Sequence, residues 1–153
     1  MKRLCILLAA GLFLSPASCD SIAVEVGDVL AAIFSPRVVT VVLDNQSPDF
    51  DVNVVLFTSD QQDIPEDLID DLGDRDEFRL APGDRVQFSR DCDDLQAIMI
   101  DDADLLVIGQ IGPEDDTGVL RDGDDFGCGD RITFTFTHTD NVFDFHIETA
   151  VED

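Results

Sequence analysis

Residues 131–149, RITFTFTHTDNVFDFHIET, decide how the chain folds. Ile132, Phe134, Phe136 and His138 alternate with Thr133, Thr135, Thr137 and Thr139. A period of two gives one apolar and one polar face only if the segment is an extended strand. Phe143, Phe145 and Ile147 alternate in the same way with Asp144, His146 and Glu148. A two-residue turn at Asp140–Asn141 pairs Thr139 with Val142, Phe136 with Phe145 and Phe134 with Ile147. Aromatic side chains then meet aromatic or aliphatic ones, and the threonines meet the polar set. A slip of one residue would bury the polar face, so the pattern specifies the register.

The same period runs back through the chain. RVVTVVLDN (37–45) is followed by DFDVNVVLFTSD (49–60), where Phe50, Val52, Val54 and Leu56 alternate with Asp49, Asp51 and Asn53. The join NQSPD is turn chemistry, which predicts a hairpin. DIPEDLIDDLG (63–73) predicts a short helix with Pro65 at its first position and Gly73 past its end, held by Ile64, Leu68, Ile69 and Leu72. FRLAPGDRVQFSRDC (78–92) gives two strands around APGD, with Val86 and Phe88 facing inward. LQAIMI and DLLVIGQI follow as apolar strands separated by a DDA turn. Residues 20–35 space Ile22, Val26, Val29, Leu30 and Ile33 along one helix face, although Gly27 and the β-branched residues leave a strand open. Seven or eight short strands punctuated by turns predict an all-β fold. The expectation is an antiparallel, immunoglobulin-like β-sandwich with one or two short helices.

The first residues place this domain. Met1, Lys2 and Arg3 precede the apolar run LCILLAAGLFL and then small residues, the layout of a secretory signal peptide over residues 1–18. That run is shorter than the ~20 residues a membrane-spanning helix needs. The expected organisation is the signal peptide, a tether or short helix over 19–35, and a sandwich over 36–153. The chain carries 34 acidic residues against 9 basic ones, a net charge of −25, and no lysine beyond Lys2. Nucleic acid and anionic membrane surfaces both select Lys/Arg clusters, so the charge argues against them as direct partners. It suits solubility in salt, a divalent cation or a basic partner. With 44% hydrophobic residues and 11 Phe, the chain has the material for a core.

Of four cysteines, Cys5 lies in the leader, leaving Cys19, Cys92 and Cys128. A disulfide between Cys92 and Cys128 is the default in an oxidising compartment, and it leaves Cys19 over. Cys19 lies in LSPASCD (14–20). Ala17 and Ser18 suit a lipidation motif, but Pro16 stands where Leu is usual. Lipid attachment at Cys19 and ordinary cleavage after Ala17 both remain open. The first predicts a membrane-anchored lipoprotein facing the periplasm or cell surface, and the second a secreted soluble protein. LSPASCD, RDCDDLQAIMIDDADLLVIG and GVLRDGDDFGCGDRITFTFTH together resemble small, Asp-rich lipoproteins of planctomycete-type bacteria, a group with no established activity. The resemblance implies an exported, lipid-anchored β domain.

Two constellations could carry chemistry. Bridging Cys92 to Cys128 brings Asp91, Asp93 and Asp94 towards Asp124, Asp125 and Asp130. Such a group either splays into water as an acidic rim or shares a calcium ion, which takes oxygen ligands in irregular geometry. The segment DGDDFGCGDRIT departs from the EF-hand loop at Phe126. Asp144, His146 and Glu148 share one strand face, with Thr135 opposite His146, and are either a solvated polar face or a weak metal or general-base site. No GxSxG, HExxH or phosphate loop is present. The expected role is non-catalytic binding or structure at the cell envelope, towards a protein or glycan ligand that the residues do not identify. The alternatives are a calcium-dependent adhesion or matrix module using loops 91–104 and 112–130, and a hydrolase built around His146.

Overall fold

The computed structural model describes residues 37–107 and 112–153. The expected signal peptide (1–18), Cys19 and the segment 20–35 lie outside the described residues. Two sheets face each other around one core. In the first, β4 (Arg85–Asp91), β1 (Val38–Asn45), β8 (Arg131–Thr137) and β9 (His146–Glu152) lie in that order. In the second the order is β3 (Asp74–Leu80), β2 (Asp51–Ser59), β5 (Ala97–Leu106) and β6 (Glu114–Asp115). The two-residue β7 (Leu120–Arg121) also pairs with β5. Among the described residues, the named strands all pair antiparallel except β1 with β8, which run parallel in the middle of the first sheet. The architecture is an all-β sandwich as expected, but the parallel β1–β8 pair departs from the expected wholly antiparallel arrangement.

Alternation along the strands builds the core. Val39, Val41 and Leu43 of β1 and Ile132, Phe134 and Phe136 of β8 are fully buried, facing Val52, Val54 and Leu56 of β2 and Ile98, Ile100 and Leu105 of β5. Each such side chain contributes about 1.5–3 kcal/mol relative to an exposed position. A second, smaller cluster of Phe57, Ile64, Ile69, Ala97 and Met99 lies around the helix α1 (Glu66–Leu72).

Five expectations are corrected. Strands β1 and β2 do not form a hairpin: they belong to different sheets, and NQSPD carries the chain across the sandwich. Two amphipathic strands joined by a turn can bury their faces either side by side or from opposite walls, and the alternation is identical in both cases. Asn45 selects the second. It is fully buried, its Nδ2 donates to the carbonyls of Phe50 (3.1 Å) and Leu80 (3.0 Å), and its Oδ1 accepts from the Ser47 N–H (2.9 Å). The β3–β4 connection crosses at the same corner, where the Gly83 N–H donates to the Asn45 carbonyl at 2.8 Å. Gly83 has φ 78°, the left-handed conformation that such a turn takes from glycine at little cost.

The DDA segment is likewise no turn. Strand β5 runs unbroken through it, and its register against β2 jumps from Leu56↔Ile100 to Val55↔Asp102, leaving Asp101 as the extra residue of a β-bulge. The bulge switches the inward set from Ile98 and Ile100 to Ala103 and Leu105, which is why one strand reads as two. Ile64 just before the helix and Ile69 within it are buried, but Leu68 and Leu72 are exposed, because seven residues present only a narrow face to the sheet. Pro65 caps the helix rather than opening it.

In the final hairpin β8 keeps its predicted faces, but the turn and the start of its partner strand differ from the prediction. Phe136 pairs with Ile147 and Phe134 with Thr149, a shift of two residues that preserves parity. The extra length forms a 3₁₀ turn at Val142–Asp144. Asp144 secures it by accepting from the N–H and hydroxyl of Thr139 (2.9 and 2.5 Å), and Asn141 caps it through the Phe143 N–H. Phe145 is buried, whereas Phe143 stands 82% exposed.

Candidate functional site

Cys92 follows β4, Cys128 precedes β8, and the two are bridged with Cα atoms 5.5 Å apart. The bridge closes a loop that holds β5, β6 and β7, and it ties both exits of that segment to the first sheet. Around it the acidic residues are largely engaged singly. Asp93 lies 3.5 Å from the Arg37 guanidinium, Asp125 accepts from the Arg121 N–H (2.9 Å), and Asp130 accepts from the Gly127 N–H (2.6 Å). Asp91, Asp94 and Asp124 are exposed. Among the described residues, no three of these six bring carboxylate oxygens within 4.8 Å of one another.

A different trio does converge. Asp102 and Asp104 project from one face of β5, and Glu114 of β6 pairs directly with Asp104, so the three carboxylates approach within 4.8 Å. That spacing is what one hard cation with oxygen bonds of about 2.3–2.6 Å can span. The cluster was legible in part: Asp102 and Asp104 are two apart on a strand. A turn drawn through Asp101–Ala103 hides that relation, and nothing local announces Glu114 as their neighbour.

Their ionisation is correspondingly opposed. Partial burial first, then the neighbouring Glu114, raises the Asp102 carboxyl above its ordinary value. Asp104 is raised by burial and then by Asp102 and Glu114. The bulge residue Asp101 is raised by burial and by Asp70, Asp102 and Asp116. It lines an acidic cleft of about 470 Å³ beside α1, together with Glu66, Asp67, Asp70, Met99 and Asp116. A carboxyl whose folded pKa is raised favours the fold while protonated, and that contribution is lost as pH rises through the folded value. Asp102→Asn therefore raises stability at pH 7 by about 0.5 kcal/mol, a small figure because water screens half-buried carboxylates. The gain disappears below the ordinary Asp value of 3.8, where both states are protonated. Melting curves of both proteins across that pH range check this.

The Asp144–His146–Glu148 trio does not form one strand face, because Asp144 belongs to the 3₁₀ turn. His146 pairs with Thr137, while Thr135 is opposite Glu148. His146 Nδ1 lies 2.8 Å from the Asp144 carbonyl and Nε2 lies 3.4 Å from Glu148. The contact with the Asp144 carbonyl first, against an opposing effect of burial and with help from Glu148 and Asp115, raises the imidazole pKa. The side chain is half-exposed, and His146 lines none of four surface clefts of about 300–620 Å³. His138, at the end of β8, is buried against the Phe50 ring. Its Nδ1 lies 2.5 Å from the Thr139 carbonyl and its Nε2 has no hydrogen-bond partner among the described residues.

No protein-family model and no curated protein matches the chain. Among solved structures, the T6SS lipoprotein TssJ1 from Pseudomonas aeruginosa aligns at 13% identity and TM-score 0.43, covering 77% of this chain and 98% of that one. A protein from Eubacterium rectale aligns at 12% identity and TM-score 0.43, covering 75% and 90%. The membrane-binding domain of pneumolysin aligns at 10% identity and TM-score 0.47, covering 76% and 99%. At these scores none of the three assigns a family or an activity to this chain. No helix among the described residues is long and apolar enough to cross a membrane.

Proposed function

We propose that the chain is an exported β-sandwich of the cell envelope, tethered through lipid on Cys19, with a non-catalytic binding role. The observation that supports this reading best is the Cys92–Cys128 bridge, because disulfides persist in oxidising, extracytoplasmic compartments. The bridge uses two of the three cysteines beyond the leader and leaves Cys19 for the anchor. Intact-mass spectrometry of protein purified from bacterial membranes tests it. The expected product begins at Cys19, carries a diacylglyceryl mass, and is two hydrogens lighter than its reduced form. A water-soluble product beginning at Ser18 overturns the anchor, and two free thiols in the folded protein overturn the oxidising location.

A calcium-dependent adhesion or matrix module is the second reading, favoured by the convergence of Asp102, Asp104 and Glu114. It requires melting in millimolar calcium to exceed melting in EDTA. Superimposable curves exclude it.

A further inference from the structure

The two open sides of the sandwich are closed differently. On one side, the edge strands β3 and β4 are linked across the sheets by the stacked rings of Phe78 and Phe88, with centroids 5.7 Å apart, and by the Arg90–Asp76 ion pair at 3.0 Å. On the other side β9 is, among the described residues, an edge of the first sheet, covered in part by β6. The Asp115 carboxylate of β6 accepts from the Ile147 N–H at 2.7 Å, so that N–H points away from β8. Antiparallel ladders alternate, which means the N–H and C=O groups of Thr149 and Val151 point outward as well. The far side of β8 agrees. The carbonyls of Asp130 and Phe136 accept from Thr40 and Gln46 of the β1 side, leaving the odd-numbered residues of β8 to bond His146, Glu148, Ala150 and Glu152 of β9.

We propose that the Thr149–Val151 edge is a docking site for an extended, basic segment of a partner protein, which adds a strand to the first sheet. This inference gives the binding role proposed above a chemistry, and it rests on that reading. Two observations beyond the open backbone carry it. Thr149 and Val151 stand opposite Phe134 and Ile132, which are fully buried, yet Thr149 is exposed and Val151 is 37% exposed. Inward positions are thus left uncovered where the next strand would lie. On the outer face of β9, Glu148 and Glu152 flank Ala150, so a neighbouring strand meets carboxylates at alternate positions. Lys or Arg at those positions completes favourable cross-strand pairs, and the −25 net charge draws a basic segment in from a distance. A second copy of this chain fits badly: antiparallel pairing of β9 about Ala150 sets Glu148 against Glu152 twice.

The test uses the exported protein and two synthetic peptides, one alternating Lys with Val and one alternating Glu with Val. Hydrogen exchange followed by NMR should show the Lys peptide protecting the Thr149 and Val151 amides, with the Glu peptide protecting neither. Val151→Pro deletes an outward N–H and no ladder bond, a change edge strands tolerate. It should leave the melting transition in place and weaken the Lys peptide about tenfold, the equivalent of one hydrogen bond. Glu148→Lys combined with Glu152→Lys, which alters no backbone group, should transfer preference to the Glu peptide. Equal binding of both peptides, protection at β3 or β4 instead, or self-association through β9 overturns the proposal. Such a failure leaves the mass measured at Cys19 unchanged, so the docking site and the envelope reading fail separately.

Discussion

Asn45→Ala destabilises the protein by about 3 kcal/mol although it removes no apolar contact of note. The amide lies at the corner where the chain crosses between sheets twice, and three of its hydrogen bonds end on backbone groups. Ser47 keeps one of those groups satisfied, because its hydroxyl also donates to the Phe50 carbonyl at 2.6 Å. The Leu80 carbonyl and the Ser47 N–H lose their side-chain partner, at about 1–3 kcal/mol for each group left unsatisfied. Asn45→Asp is the informative companion. A carboxylate still accepts from Ser47 but cannot donate to Leu80 or Phe50, and it places a charge where the native side chain is fully buried. Its loss should match or exceed that of the alanine variant at pH 7 and shrink as the carboxyl is protonated in acid. Urea denaturation at two pH values distinguishes the two variants; an unchanged midpoint for both would show that the corner is held by other contacts.

Removing the disulfide through Cys92→Ser and Cys128→Ser should cost about 4 kcal/mol, the chain-entropy value for a closed loop of this length. The sequence separation is 36 residues, and the enclosed segment supplies the long strand β5 with both of its short partners. Without the bridge, the unfolded chain regains freedom in the segment that forms much of one wall. A single domain of ordinary size has a total stability of about 5–15 kcal/mol, so this loss moves the denaturant midpoint substantially. Reduction of the native protein should reproduce the shift, and the double-serine variant should then be insensitive to reductant. A variant as stable as the oxidised protein would mean that Leu95 and Phe126, buried near the two ends of this loop, hold it without the bridge.

Much of the fold was legible because burial in a sandwich writes a period of two into every strand. The faces of β8, the pairing of Cys92 with Cys128, and the helix ending at Gly73 all follow from local pattern and cysteine arithmetic. Sheet membership was not legible, since β1 and β2 show the same alternation whether they pair or oppose each other. The candidate sites divide along the same line. Asp91, Asp93, Asp94, Asp124, Asp125 and Asp130 cluster in sequence around the two cysteines, but several of these side chains turn onto Arg37 or onto their own loops. Asp102, Asp104 and Glu114 meet through a ladder that pairs residues ten apart.

By itself the sequence determined the class of fold, most strand faces, the acidity of the chain and the expectation of a Cys92–Cys128 bridge, because each is a property of residue type and spacing. Only the tertiary structure decided which strands are neighbours, where the bulge at Asp101 resets the core, and which stretch of β9 is left open. Those depend on contacts between distant segments. A strand's own side chains determine which face is buried, but they carry no record of which wall it joins or what covers its edge.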